Sequence, residues 1–218
     1  MESYSFDKSF EYENKFYLTA QAQRMGRLIS HYELFKKTVD VEGDIFEFGV
    51  FKGVSLLRFI MFNQLFEQGL DKKVVGFDTF GDFPSTDFEE DKEELELFIE
   101  ETGGGKSISK DELSEAIKHK GFKNFELVKG NILKTLPEYI ESHPELKISL
   151  LNIDTDIYEP AKCIIDLLAD KVVKGGIIIF DDYGVFPGET KVADEFCAKH
   201  NYKIQKFPYS NVPSFIVK

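Results

Sequence analysis

Residues 148–156 read ISLLNIDTD and residues 175–182 read GGIIIFDD, and these two stretches decide the fold. Each is a short run rich in Ile and Leu that stops at acids. A near-continuous apolar run of this length suits a strand buried on both faces, as in a parallel sheet. Asp154 and Asp181 are 27 residues apart, close to one strand–helix–strand unit of roughly 30. Between them, PAKCIIDLLADKVVKGG (160–176) is long enough for the crossover helix.

The same pattern recurs along the chain. DIFEFG (44–49), KVVGFD (73–78) and FELVKG (125–130) also run apolar and end in Gly or an acid. Helix-length segments separate or follow the runs: VSLLRFIMFNQLFEQG (54–69), KDELSEAIKHKG (110–121) and TKVADEFCAKHN (190–201). Alternating strands and helices give an α/β class with right-handed crossovers. The end, YKIQKFPYSNVPSFIVK, reads as two strands around a turn, a terminal hairpin. Residues 1–40 read as helical, with Leu28, Ile29, Tyr32 and Phe35 near a 3.6 spacing. The 218 residues suit one domain. Residues 81–112 break the rhythm: they are acidic and contain Gly103, Gly104 and Gly105. Two readings stand, a solvated helix with a flexible linker or a lid over a site.

The 39 acidic against 27 basic residues leave a net charge of −12. Such a surface repels phosphate backbones and anionic lipid, so nucleic acid and membrane are excluded as partners in favour of a small molecule or a cation. No run reaches the ~20 apolar residues of a membrane span, and the first residues lack a signal-peptide core. Cys163 and Cys197 have no metal or redox spacing and read as buried free thiols. A soluble, cytoplasmic protein is predicted.

The chemistry-bearing residues sit where strands end. Glu47, Gly49, Gly53 and Ser55 form a turn from the first strand into a helix, where glycines admit a ligand close to backbone N–H groups. Asp78, at the end of the second strand, can accept the hydroxyls of a ribose. Asp154, Asp156, Asp181 and Asp182 bring four carboxylates to two strand ends that a sheet places about 4.8 Å apart. Such acids repel unless a cation lies among them, and a set of oxygen donors favours Mg²⁺, with Ca²⁺ and Mn²⁺ also open. Otherwise they are solvated acids at loop mouths.

LLNIDTDIYEPA, then KGGIIIFDDYG, then VADEF, resembles the signature of the macrocin O-methyltransferase family, and EFGVFKGVS and DTFGDFP match two more of its stretches. The resemblance covers residues 12–218. It implies a doubly wound, Rossmann-like class I methyltransferase sheet in a three-layer sandwich, mostly parallel, with an antiparallel C-terminal strand. Implied with it are S-adenosylmethionine, a divalent metal, and an acceptor hydroxyl on a sugar, nucleotide sugar or glycoside. By position, Asp154, Asp181 and Asp182 would hold the metal and Asp156 would be the general base. Glu47, Gly49, Gly53, Ser55, Asp78, Asn131 and Asp154 would line the S-adenosylmethionine site.

Two other functions remain open at this point: a binding module that keeps S-adenosylmethionine as a sensory ligand, and a metal-dependent hydroxylase or hydrolase. A homo-oligomer is also open. His31, His119, His143 and His200 read as surface residues, with a base beside the acids as the other reading. Lys52 reads as solvated, and Tyr12, Phe16 and Tyr17 either pack the first helix onto the sheet or cover the acceptor.

Overall fold

A computed structural model describes residues 4–66 and 72–218. The five apolar runs are strands: β1 Asp44–Phe48, β2 Val74–Asp78, β3 Phe125–Lys129, β4 Ile148–Ile153 and β5 Val172–Phe180. The hairpin supplies β6 Gln205–Lys206 and β7 Ser214–Val217. Together they make a seven-stranded sheet in the order β3-β2-β1-β4-β5-β7-β6. β1 to β5 pair in parallel, and β7 runs antiparallel to both neighbours.

Strand alternation explains the three layers. Ile45, Leu150, Ile177 and Ile179 face one side, and Phe46, Leu151, Ile178 and Phe180 face the other. On the first side pack α2 (Ala22–Thr38), α3 (Val54–Leu65) and α5 (Lys110–His119), through Leu34, Phe35, Phe59, Leu113 and Ile117. On the second pack α6 (Ile132–Ser142), α7 (Tyr158–Leu168) and α8 (Pro187–His200), through Leu136, Ile164, Leu168, Val192 and Phe196.

One element is added and two expectations need correction. The helix α6 is an addition to the elements expected: Ile132, Leu133, Leu136, Tyr139 and Ile140 keep a helical period, and Pro137, ordinarily a helix breaker, lies inside it. The segment 160–176 is not helical throughout: α7 stops at Leu168, and the β-branched pair Val172–Val173 already belongs to β5. The N-terminal aromatics do not pack the first helix down. α1 (Ser9–Thr19) buries no residue, and Phe16 and Tyr17 are exposed. Of the helix read at 54–69, residues 67–69 lie outside the described residues.

The acidic segment carries α4 (Lys92–Glu101) and is anchored at its base. Glu159 on α7 accepts hydrogen bonds from Thr86 Oγ1, Asp87 N and Phe88 N. Gly103, Gly104 and Gly105 all take positive φ, as the sharp turn after α4 requires.

The chain order reverses between β1 and β4, and ligands of doubly wound sheets bind in the crevice at such a point. There Gly49 has φ +86°, and a β-carbon on it would lie 1.6 Å from the Asp154 carbonyl oxygen. Gly49→Ala is expected to cost about 3 kcal/mol or more, by backbone displacement and left-handed strain. Urea denaturation checks this, and a loss below 1 kcal/mol (about a fifth of a marginal stability) would show that the two strand ends are not locked together.

Candidate active site

The turn after β1 is shaped by Asp78. Its Oδ2 accepts from Val50 N and Phe51 N, both at 2.9 Å, and its Oδ1 accepts from Phe80 N at 2.6 Å. These charge-assisted bonds hold Phe51 at φ +49°, a strained value for a non-glycine residue. Asp78 borders the cleft, and most of its acceptor capacity is already committed to backbone. Gly53, at φ +81°, begins α3, and a β-carbon there would meet Leu113 Cδ1 at 2.8 Å.

Glu47 stands behind the cleft wall. It points to the α3 side of the sheet, is fully buried, and accepts from Ser55 Oγ at 3.0 Å and Asn152 Nδ2 at 3.2 Å. Ser55 itself reaches the cleft, so Glu47 acts on the site through Ser55. Burial pushes the Glu47 carboxyl up to about 8, against hydrogen bonds from Ser55 and Asn152 that lower it. Asn131 caps α6, accepting from Leu133 N at 2.9 Å, and borders the cleft with Ile132 and Leu133.

Asp154, Asp156 and Asp182 converge, with one oxygen from each within 4.8 Å of the others. Asp156 sits at φ +63° in a tight turn closed by Ile157 N donating to the Thr155 carbonyl at 2.6 Å. Burial, together with the charge of Asp182, raises the carboxyls of Asp154 and Asp156 well above the usual range, and Arg27 offsets part of this at Asp154.

Asp181 is not in the cluster. It follows Phe180 on the strand, so it and Asp182 point to opposite faces. Its side chain is fully buried against α2, where its Oδ1 lies 3.1 Å from His31 Nε2 and its Oδ2 pairs with Arg27. The same Arg27 reaches Asp154 Oδ1 at 3.6 Å. His31 is accordingly no surface residue. It is buried and kept neutral, well below its usual value, by burial and by Arg27 and Arg58. His119 and His200 are exposed, and His143 is half-buried, stacked on Tyr139.

The cleft is about 830 Å³. One wall is aromatic, with Phe98 of α4 at 5.3 Å from Phe51 and from Phe83 and at 6.4 Å from Phe186. The segment 81–112 therefore builds part of the cleft. Arg24, Arg27 and Arg58 also line the cleft, and sequence reasoning did not single them out. The i, i+4 spacing of Arg27 and His31 beside the apolar positions of α2 was the available signal. Lys52 also borders the cleft.

Residues 17–210 match the family model Macrocin-O-methyltransferase (TylF). The chain belongs to this family. It is an O-methyltransferase of the S-adenosylmethionine-dependent class. The fold is similar to the calicheamicin methyltransferase CalS11, at 24% identity over 98% of this chain and 86% of that one, with TM-score 0.74. It is similar also to the O-methyltransferase NovP, at 20% identity over 88% of this chain and 79% of that one, with TM-score 0.74. An O-methyltransferase from Bacillus cereus in complex with SAH matches at 11% identity, over 100% of this chain and 93% of that one, with TM-score 0.55. No curated protein matches. Among the described residues no helix is long and apolar enough to cross a membrane.

The buried Glu47 ties stability of this O-methyltransferase to pH. Between its usual 4.5 and about 8 the folded chain keeps a proton that the unfolded chain has released. Its contribution is complete below the lower value and lost as pH rises through the upper one, at about 1.4 kcal/mol per pH unit. Glu47→Gln removes that loss while keeping an acceptor for Ser55 and offering an amide N–H that the unpartnered Asn152 Oδ1 can accept once its amide turns. Denaturation midpoints are expected to match wild type at pH 4 and exceed it at pH 9. A variant no more stable than wild type at pH 9 would show that Glu47 is ionised at ordinary cost.

Proposed function

We propose that the chain moves a methyl group from S-adenosylmethionine to a hydroxyl of a sugar or glycoside, with a divalent cation, Mg²⁺ in the first place, at Asp154, Asp156 and Asp182. The observation that carries this reading is the convergence of those three carboxylates in the cleft beside the Gly49–Ser55 turn. The residues fit a cation. They are oxygen donors throughout, they repel one another, and Arg27 reaches only Asp154. CalS11 is described as a TDP-rhamnose 3'-O-methyltransferase, which supports a sugar acceptor.

Methyl transfer of this class is an in-line displacement, in which the O–C bond forms as the C–S bond breaks and the hydroxyl proton leaves to a base. Bound at these three acids, a divalent cation supplies Lewis acidity toward the acceptor hydroxyl. Asp156, which offers one oxygen to the cluster, would receive the hydroxyl proton at its other oxygen. The Asp78-braced turn and Ser55 place the donor, with Asn131, Ile132 and Leu133 beside its adenine. Arg24 and Arg58 give the donor's carboxylate a positive wall. Phe83, Phe98 and Phe186 offer an apolar face to the sugar and keep water out, so that alignment contributes to the rate. Family membership favours this reading over a sensory module, a hydroxylase or a hydrolase.

EDTA is expected to abolish turnover and Mg²⁺ to restore it, in a homocysteine-release assay over a panel of sugars and glycosides. Asp182→Asn should lower Mg²⁺ affinity and turnover together, with part of the rate returning at excess Mg²⁺. Asp156→Asn should reduce kcat by roughly 10²–10⁴-fold, the range for a lost general base. In contrast, Asp181→Asn should weaken Mg²⁺ binding by calorimetry far less than Asp182→Asn, since its side chain points away from the cluster and touches it only through Arg27. EDTA without effect removes the cation from the reading, and an Asp181 variant as defective in Mg²⁺ binding as Asp182→Asn removes this choice of ligands.

A further inference from the structure

The cluster depends on two loops keeping a fixed distance. Asp154 and Asp156 lie on the loop from β4 to α7, and Asp182 lies on the loop from β5 to α8. Two carboxylates that do not belong to the cluster hold these loops together. Glu189, on α8, accepts from Asp182 N at 3.0 Å, and the Thr155 backbone, between Asp154 and Asp156, favours the same carboxylate's charged form. Asp91, just before α4, accepts from Tyr158 N at 2.8 Å through Oδ2 and from Gly188 N at 2.6 Å through Oδ1. Tyr158 follows Asp156 by two residues, and Gly188 precedes Glu189 by one.

Both carboxylates are fully buried. Glu189 keeps an Oε2 with no hydrogen-bond partner among the described residues. Burying such groups is costly, and a pair of apolar residues would hold two helices together with less loss. What a carboxylate adds is direction, because it takes N–H groups from two loops into one small group and so sets their separation. Gly188 leaves no room for any alternative, since a β-carbon there would lie 2.1 Å from Asp91 Oδ2 and 2.5 Å from Tyr158 N.

We propose that Glu189 and Asp91 are positioning residues that set the spacing of Asp154, Asp156 and Asp182, and that Asp91 thereby couples the 81–112 segment to cation binding. The inference rests on the cation reading above. Asp91 leads directly into α4, which carries Leu97 and Phe98 into the cleft wall. A cation that draws the two loops together therefore steadies the root of that segment, and by reciprocity a loosened root weakens the cation. Residues around a metal site that orient its ligands change affinity about 10- to 100-fold when removed.

The test uses the full chain and Mg²⁺ alone, without donor or acceptor, and reads affinity by calorimetry. Glu189→Ala is expected to weaken Mg²⁺ binding about tenfold or more. Glu189→Gln, which keeps an acceptor oxygen toward Asp182 N, should stay within about threefold of wild type, a difference under 1 kcal/mol. In the wild-type chain, Mg²⁺ should also slow amide exchange across 88–101, a readout that needs no variant. Glu189→Ala with wild-type affinity overturns the positioning role, even if its melting temperature falls. Gln and Ala variants weakened equally overturn it too, because charge and not hydrogen-bond direction would then be responsible. Unchanged exchange across 88–101 overturns the coupling through Asp91. A wild-type chain that binds no Mg²⁺ overturns the cation reading and this inference together.

Discussion

Two strand ends touch at the centre of this protein. The Asp154 carbonyl occupies the space where residue 49 would carry a β-carbon, and the main chain of Gly49 must take a left-handed turn to pass it. The contact lies where the sheet reverses its order, between β1 and β4. It brings the turn that leads into α3 against the loop that carries Asp154 and Asp156. Asp78 then fixes the near side by taking two N–H groups of that turn, and the cleft opens above.

Electrostatics decides how the acids beyond this contact are arranged. Glu47, Asp91, Asp181 and Glu189 are all fully buried, close to a cluster that is itself short of cations. Each has a distinct compensation. Glu47 is raised to about 8 by burial. Asp181 pairs with Arg27 and meets the neutral His31. Asp91 and Glu189 accept backbone N–H groups at helix starts and loops, where the local dipoles favour a carboxylate. Arg27 reaches the cluster at Asp154 alone, which leaves Asp156 and Asp182 without a cationic side chain of that kind.

The acidic segment 81–112 links the two halves of the site. Its α4 gives the cleft Leu97 and Phe98. Its root is clamped twice, by Glu159 at residues 86–88 and by Asp91 at α7 and α8. Beyond these clamps it is tied again, by Ser107 N and Ile108 N donating to the Gly81 and Phe51 carbonyls.

Much of this was legible in the sequence, for a physical reason. A strand buried on both faces reads as a near-continuous apolar run, so the four inner parallel strands announce themselves and the acids at their ends fall at the crevice, whereas β3, at the sheet edge, is only partly buried. The positions of Gly49, Gly53, Asp78, Asp154 and Asp156 follow from that, and the ordered motifs point to the family. Tertiary structure alone decided which acids meet. Asp181 and Asp182 are neighbours in sequence, yet a strand turns successive side chains to opposite faces, so one joins the cluster and the other goes to α2. There its partner His31 stands 150 positions earlier in the chain, and Glu189 and Asp91 reach the same loops from α8 and from the acidic segment. A local pattern shows that a residue is acidic or basic. Only packing brings groups so distant along the chain to within a hydrogen bond of one another.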